Sequence, residues 1–386
     1  MNIQRHIDDK VTQHFDKYRQ ILLLMGPRQI GKTTILNKIF PQAKYFLLDE
    51  DPVRKIFETY DSNVYKQNFS DNEYVILDEI HLLGDPGRAA KIIYDLLPNK
   101  KLIITGSSSF NIKHKTTESL AGRKIDYRLF PLTVSEFLVQ NETENKLNFN
   151  IIDNIINDTA QKIRPFDLAS ITNTILIYGS YPFLIKSPRD SNYLRNLTDS
   201  VIFKDIIELD LIENKKTAGD LLKLLAYQIG NIINYTELAT RLNVDVRTVK
   251  RYIDIFEQSF ILFRLNPYSK NKRQELVKSP KVYFFDNGIR NSLINNFENI
   301  DLRNDRGALF ENYIVSEIYK ANVYGEYNFS MNYWRTKSGS EIDLVLSDNK
   351  KLIACEIKYT KGSISKAFTS RYPDAVERII TLNNYY

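Results

Sequence analysis

The sequence predicts an α/β chain of several domains, and three observations carry that expectation. The first third alternates short, continuously apolar runs with helical patterns, as strands buried on both faces of a parallel sheet do. Two short amphipathic patterns separated by a turn follow in the middle. From residue 306 a helical pattern gives way to runs of period 2 that carry acids and a lysine. At 386 residues the chain exceeds one ordinary core, given about 100 to 200 residues per domain. The expected division is 1–140, a parallel-sheet domain; 141–215, a helical connector or lid; 216–280, a winged helix-turn-helix; and 281–386, a second α/β domain.

The first element is "QILLLM", an apolar strand that "GPRQIGKTTILNKIF" turns into a helix. In that strand–loop–helix setting Gly26-x-x-x-x-Gly31-Lys32-Thr33 matches the Walker A pattern. Glycines let backbone N–H groups curl around phosphate oxygens, the helix N-terminus adds its dipole, Lys32 reaches the β and γ phosphates, and Thr33 holds Mg²⁺. The expected nucleotide-binding residues are therefore Gly26, Pro27, Arg28, Gln29, Ile30, Gly31, Lys32, Thr33 and Thr34. Further strands are expected in "KYFLLDE" and "EYVILDEIH". The second puts Asp78 and Glu79 at the C-terminal strand end, where an open parallel sheet presents its ligands. Asp78 is expected to hold Mg²⁺ through water and Glu79 to orient or deprotonate the attacking water; a merely solvated strand end is the plainer alternative. "KLIITGSSS" brings Thr105, Ser107 and Ser108 to the same edge, as a γ-phosphate sensor or as strand-end caps. Gly122-Arg123 offers a candidate arginine finger, or else a surface arginine bound to a neighbouring carboxylate. A finger acting in trans requires self-association.

Together, "GPRQ-x-GKT", the apolar run ending in "DE", "TGSS", and "AGR" followed by "PLT-x-x-EF" resemble the prokaryotic AAA-type ATPases of the AAA+ superfamily. "YGSYPFLI", with Gly179 and Pro182, resembles the segment that leads into that family's C-terminal half. The resemblance implies a P-loop NTPase (AAA+-like) sheet, ATP with Mg²⁺, slow hydrolysis, and a C-terminal region related to the PD-(D/E)xK, restriction-endonuclease-like fold.

In "NYTELATRLNVDVRTVKRYIDIFEQSFILFRL", Thr236 is the expected N-cap of a helix carrying Leu238, Ala239 and Leu242. A turn at Asn243 to Asp245 leads to a second helix with Val249, Tyr252, Ile253 and Phe256 on one side. That helix exposes Arg247, Thr248, Lys250 and Arg251, where a recognition helix meets the major groove of DNA. The segment after it reads as a wing whose Lys270, Lys272 and Arg273 offer phosphate contacts. The alternative is a docking module whose charges form a solvated face.

The last third reads as a helix, "RGALFENYIVSEIYKA", then strands in "NYWRT", "EIDLVLS" and "LIACEIKY", then a short helix and a strand. Alternation puts Glu341 and Asp343 on one face of their strand, and Glu356 and Lys358 on one face of theirs. The set resembles PD-(D/E)xK with Asp343 as the acid and Glu356-Ile357-Lys358 as E-x-K; Ile342 stands where the strict motif has proline. Asp343 and Glu356 would supply oxygen ligands to a second Mg²⁺ or Mn²⁺, Glu311 would complete the shell, and Lys358 would position water. The alternatives are the same fold used for docking or nucleic-acid binding without cleavage, or an ion network with Lys358 and Arg335. The four histidines are scattered and suggest no zinc site, and Cys355 alternates to the opposite face as core.

Composition bounds the rest. A balance of 53 Lys+Arg against 47 Asp+Glu permits nucleic-acid contact without demanding it. One cysteine excludes an internal disulfide framework, and no apolar run approaches the ~20 residues that span a bilayer, so no membrane association is expected and the cytoplasm is the expected location. The resulting expectation is an ATP-driven switch acting on DNA through its C-terminal half. An ATP-regulated metal-dependent nuclease, and an ATP-dependent sensor or scaffold that binds a protein partner, are the alternatives.

Overall fold

A computed structural model describes residues 3–106, 120–159, 167–207, 212–269 and 279–386. They form two compact units: the first runs to Phe130 and includes residues 205–207 and Gln258–Phe260, and the second takes up the remainder from Pro131.

The first unit holds strands β1 (Ile21–Met25), β2 (Lys44–Leu47), β3 (Tyr74–Asp78), β4 (Lys101–Gly106) and β5 (Lys124–Arg128). They form one parallel sheet in the order β2-β3-β4-β1-β5. Every residue of β1 is buried, as its unbroken apolar run predicts. Burial of each such aliphatic side chain stabilises the sheet by about 1.5 to 3 kcal/mol. Because all five strands run the same way, Met25, Asp78, Gly106 and Arg128 come to one edge and Ile21 and Lys124 to the other. β5 has no apolar run; its "KIDYR" is half-buried because it borders the sheet.

The second unit holds β6 (Leu262–Pro267), β7 (Lys281–Phe284), β8 (Ser330–Arg335), β9 (Glu341–Ser347), β10 (Leu352–Ile357) and β11 (Val376–Ile380), ordered β11-β10-β9-β8-β6-β7. β8, β9 and β10 pair antiparallel in succession, and β10 and β11 pair parallel. The expected wing strands are β6 and β7, which pair antiparallel; β6 also continues in parallel onto β8, so one sheet crosses residue 280. Lys270, Lys272 and Arg273 lie outside the described residues. Trp334, Ile342, Val345, Ala354, Phe368 and Tyr372 pack into one apolar cluster. The helix Arg306–Tyr324 buries Leu309, Phe310, Ile314 and Ile318.

The helix pair expected in the middle is present as Tyr235–Leu242 and Val246–Gln258. Its first cap is Asn234 rather than Thr236: the Asn234 side chain accepts from the Glu237 N–H at 3.1 Å, which places the helix start one residue before Thr236. Asn243 takes the left-handed turn at φ 53°, and Asp245 caps the second helix by accepting from the N–H groups of Arg247 (2.8 Å) and Thr248 (3.2 Å). "YGSYPF" is also a packing device. Buried Asp286 accepts from the Ser180 N–H at 2.7 Å, and a Cβ on Gly179 would lie 2.1 Å from the Asp286 carboxylate.

Candidate functional site

The loop after β1 owes its shape to two glycines. A Cβ on Gly26 would lie 2.3 Å from the Leu129 carbonyl oxygen, so only glycine lets the loop leave the sheet beside the continuation of β5. Gln29 (φ 58°) and Gly31 (φ 98°) are left-handed, and alternating backbone handedness turns successive N–H groups inward as an anion nest. A Cβ on Gly31 would meet nothing within 4 Å, so the front of the loop is open. Pro27 and Ile30 are buried, Arg28 is half-buried, Gln29 is exposed, and Thr34 is exposed on the first turn of the helix Lys32–Ile39. Lys32 is buried, and its Nζ donates to the carbonyls of Gly26 (2.8 Å) and Pro27 (3.1 Å), spanning the loop.

Thr33, from the helix start, donates its hydroxyl to Asp78 Oδ2 at 2.9 Å. Asp78, 4% exposed, also accepts from the hydroxyls of Tyr45 and Thr105. Thr105 in turn accepts from the Glu79 N–H at 3.2 Å, so its fully buried hydroxyl ties β4 to the end of β3. Glu79 is left-handed at φ 59°, an uncommon conformation for a non-glycine residue, and its carboxylate lies 3.2 Å from His81 Nδ1. Tyr45 was not among the sequence candidates. Burial, then its hydrogen bond to Asp78, pushes its phenol well above the ordinary range. An open nest of donors, a buried ammonium, and a hydroxyl bonded to a carboxylate fit a nucleoside triphosphate with Mg²⁺.

The structure does not bring Arg123 to this edge. It immediately precedes β5, whose first residue pairs with Ile21 at the far end of the sheet, and its guanidinium pairs with Asp95 through Nε at 3.0 Å and Nη2 at 3.2 Å. A finger role within one chain is thereby corrected, because the sheet separates Arg123 from the loop. Ser107 and Ser108 lie outside the described residues. Sequence reasoning also missed Arg5, which is 3% exposed and donates to the carbonyls of Ile30 (3.1 Å) and Phe130 (2.6 Å).

In the second unit, Glu311, Asp343, Glu356 and Lys358 do converge, joined by Lys281 and Tyr283 of β7. Lys358 Nζ lies 2.7 Å from Asp343 and 2.8 Å from Glu356, and Asp343 also accepts from the Ile357 N–H at 2.9 Å. Glu311 accepts from the Tyr283 hydroxyl at 2.7 Å and lies 3.5 Å from Lys281, which also pairs with Glu341. Burial pushes Glu311 up to about 7 against the pull of Lys281, with Asp343 adding to the rise. Burial and then Asp343 also raise Glu356, whose Oε2 is buried without a hydrogen-bond partner. Among the described residues no group of three or more His, Cys, Asp or Glu side chains is arranged to hold a metal ion. The sign of Lys281 and Tyr283 in the sequence is their period-2 spacing in "KVYFF". Cys355 is fully buried, and burial pushes its thiol up to about 12.

On the helix Val246–Gln258, Arg247, Lys250 and Arg251 are exposed, and the Thr248 hydroxyl is 3.4 Å from Asp245. Lys250 sits 5.3 Å over the Tyr235 ring, and Arg251 is 3.1 Å from Glu213.

Residues 18–138 match the family model described as "AAA domain". That match agrees with a P-loop domain of the AAA type in this segment. Residues 170–300 and 306–381 match "Domain of unknown function (DUF8612)" and "Domain of unknown function (DUF4143)". The chain is similar to an uncharacterized protein of Methanocaldococcus jannaschii, 25% identical over an alignment of 396 positions, gaps included, that covers 94% of this chain and 81% of that protein. It is also similar to an uncharacterized protein of Mycobacterium tuberculosis, 25% identical over 362 residues, covering 92% and 74%. Among solved structures, the Walker-type ATPase of Pyrococcus abyssi is similar at a TM-score of 0.45 and 12% identity, over 75% of this chain and 95% of that one. Among the described residues no helix is long and apolar enough to cross a membrane.

Proposed function

We propose that the chain is a Mg²⁺-dependent ATP-hydrolysing switch whose second unit acts on DNA. The observation that supports it most is the chain of contacts from the loop through Thr33 to Asp78, with buried Lys32 spanning the loop. In this reading the N–H groups from Gly26 to Thr34 and the Lys32 ammonium bind the phosphates. Thr33 and Asp78 would hold Mg²⁺, which offsets phosphate charge when bound. Glu79, held beside His81, orients the attacking water and accepts its proton. Lys32→Ala then abolishes ATP binding while the chain stays folded; turnover at the wild-type rate would remove Lys32 from the site.

Support for DNA comes from the exposed Arg247, Lys250 and Arg251 on the second helix of the pair. Binding to duplex DNA should weaken with salt, with a slope of several phosphates, and the slope should shrink when those three are changed to glutamate. Salt-insensitive or absent binding in every nucleotide state would favour a protein partner.

A second reading, metal-dependent DNA cleavage, is favoured by the unpartnered Oε2 of Glu356 beside Asp343. Asp343 and Glu356 would then hold Mg²⁺ or Mn²⁺ once Lys358 turns away from them. Cleavage lost in Asp343→Ala supports it; no cleavage by folded, ATP-binding protein leaves the cluster as an ion network.

A further inference from the structure

We propose that Arg5 is a positioning residue of the nucleotide site, fixing the far limb of the phosphate loop to the residue at which the first unit ends. The proposal rests on the reading of the loop as the ATP site.

The two limbs of the loop are secured differently. The near limb is held by main chain: the Gly26 N–H donates to Gly106 at 3.3 Å, the Leu129 N–H donates to Met25 at 2.7 Å, and the absent Cβ of Gly26 lets Leu129 pack against it. At the far limb the Ile30 carbonyl, two residues before Lys32, accepts from Arg5 Nη1 at 3.1 Å, and the other terminal nitrogen reaches the Phe130 carbonyl at 2.6 Å. A guanidinium does this because its donors are fixed in a plane and it keeps its charge when buried; a lysine ammonium is a point donor that cannot reproduce the fork. Arg5 is 3% exposed, so water does not readily replace either bond. The two ends of the nest are thus referred to adjacent residues, the near end to Leu129 and the far end to Phe130.

Those residues are also where the chain leaves the first unit. Immediately after Pro131, within the second unit, the Leu132 N–H donates to Ser180 at 2.9 Å, the Leu132 carbonyl accepts from Lys320 at 3.3 Å, and the Val134 N–H donates to Glu317 at 2.7 Å. The backbone is therefore pinned on each side of Phe130–Pro131 by contacts internal to each unit. Arg5 makes the conformation of Phe130 part of the definition of the loop.

The test uses the full chain with Arg5→Lys, Arg5→Ala and Lys32→Ala, measuring binding of a fluorescent ATP analogue with Mg²⁺, steady-state turnover and thermal unfolding. Loss of a charge-assisted hydrogen bond at the loop should raise the nucleotide Kd and KM of folded Arg5→Lys by about tenfold or more, with a smaller change in kcat. Millimolar guanidinium should restore affinity to Arg5→Ala but not to Lys32→Ala. Wild-type affinity in Arg5→Lys overturns the proposal. So does failure of both Arg5 variants to fold, which would assign Arg5 to stability alone. If Lys32→Ala binds the analogue as the wild type does, the ATP-site reading itself fails, an outcome separable from any result at Arg5.

Discussion

Glu311 should make the second unit less stable as pH rises from acid to neutral, the reverse of ordinary carboxylate behaviour. Its carboxyl is raised from an ordinary 4.5 to about 7, chiefly by burial, so between those values the native state binds more protons than the unfolded chain. Stability must then fall with increasing pH across that window, since unfolding releases the burial penalty of the charged form. Below pH 4.5 the group is protonated in both states and costs nothing; above about 7 the full penalty applies. At about 1.4 kcal/mol per pH unit, the span amounts to about 3 kcal/mol. The attraction of Lys281 at 3.5 Å is already contained in that net rise. Glu311→Gln removes the ionisation while its amide oxygen still accepts from the Tyr283 hydroxyl. The variant should match the wild type near pH 4.5 and exceed it by up to about 3 kcal/mol at pH 8. Trp334, the single tryptophan, is 3% exposed on β8, so its fluorescence follows unfolding of this unit in urea. A difference between variant and wild type that is the same at both pH values would refute the reasoning.

Two further outcomes concern the first unit. Gly26→Ala places a Cβ against the Leu129 carbonyl, and because the obstacle is backbone the loop must move; the strain should cost about 1 to 3 kcal/mol in thermal or urea unfolding and weaken ATP-analogue binding at least tenfold. Tyr45→Phe removes one of the three hydroxyls on Asp78. With less competition for its lone pairs, Asp78 should engage the cation more readily, and Mn²⁺ binding in the presence of ADP, followed by electron paramagnetic resonance, should tighten severalfold; weaker binding would show that the phenol supports the metal geometry.

The parts of this fold that could be read from the sequence are those in which neighbouring residues settle the outcome. β1, β3 and β4 are buried on both faces, so their apolar runs are unbroken. The loop is written in Gly26 and Gly31 because one position forbids a Cβ and the other adopts a left-handed φ. β5 escaped notice because an edge strand needs only half its residues apolar, and its polar half hides the pattern. Its absence from the reading left Arg123 open between a finger and a surface arginine bound to a carboxylate, and the pair with Asp95 is the second. Without β5 the segment after "TGSS" has no direction, and an arginine next to a glycine reads as a finger; with β5 parallel to β1, Arg123 must lie at the end of the sheet remote from the loop.

The charged cluster shows the limit more sharply, because its chemistry is decided by groups far apart in the chain. Spacing put Glu341 with Asp343 and Glu356 with Lys358, since alternation along a strand is local, and Lys358 does lie 2.8 Å from Glu356. Whether three carboxylates form a metal site or an ion network depends on what else enters the same space, and Lys281 and Tyr283 arrive from β7, a strand that pairs with β6 rather than with β9 or β10. Their side chains hold Glu311 and Glu341, while Lys358 holds Asp343 and Glu356. Two buried or half-buried ammonium groups among four carboxylates lower the charge available to a divalent cation and supply the hydrogen bonds it would otherwise replace. A cation must therefore displace Lys358 to gain Asp343 and Glu356 together, and the partly exposed side chain of Lys358, at 41%, is the member of the cluster with room to move.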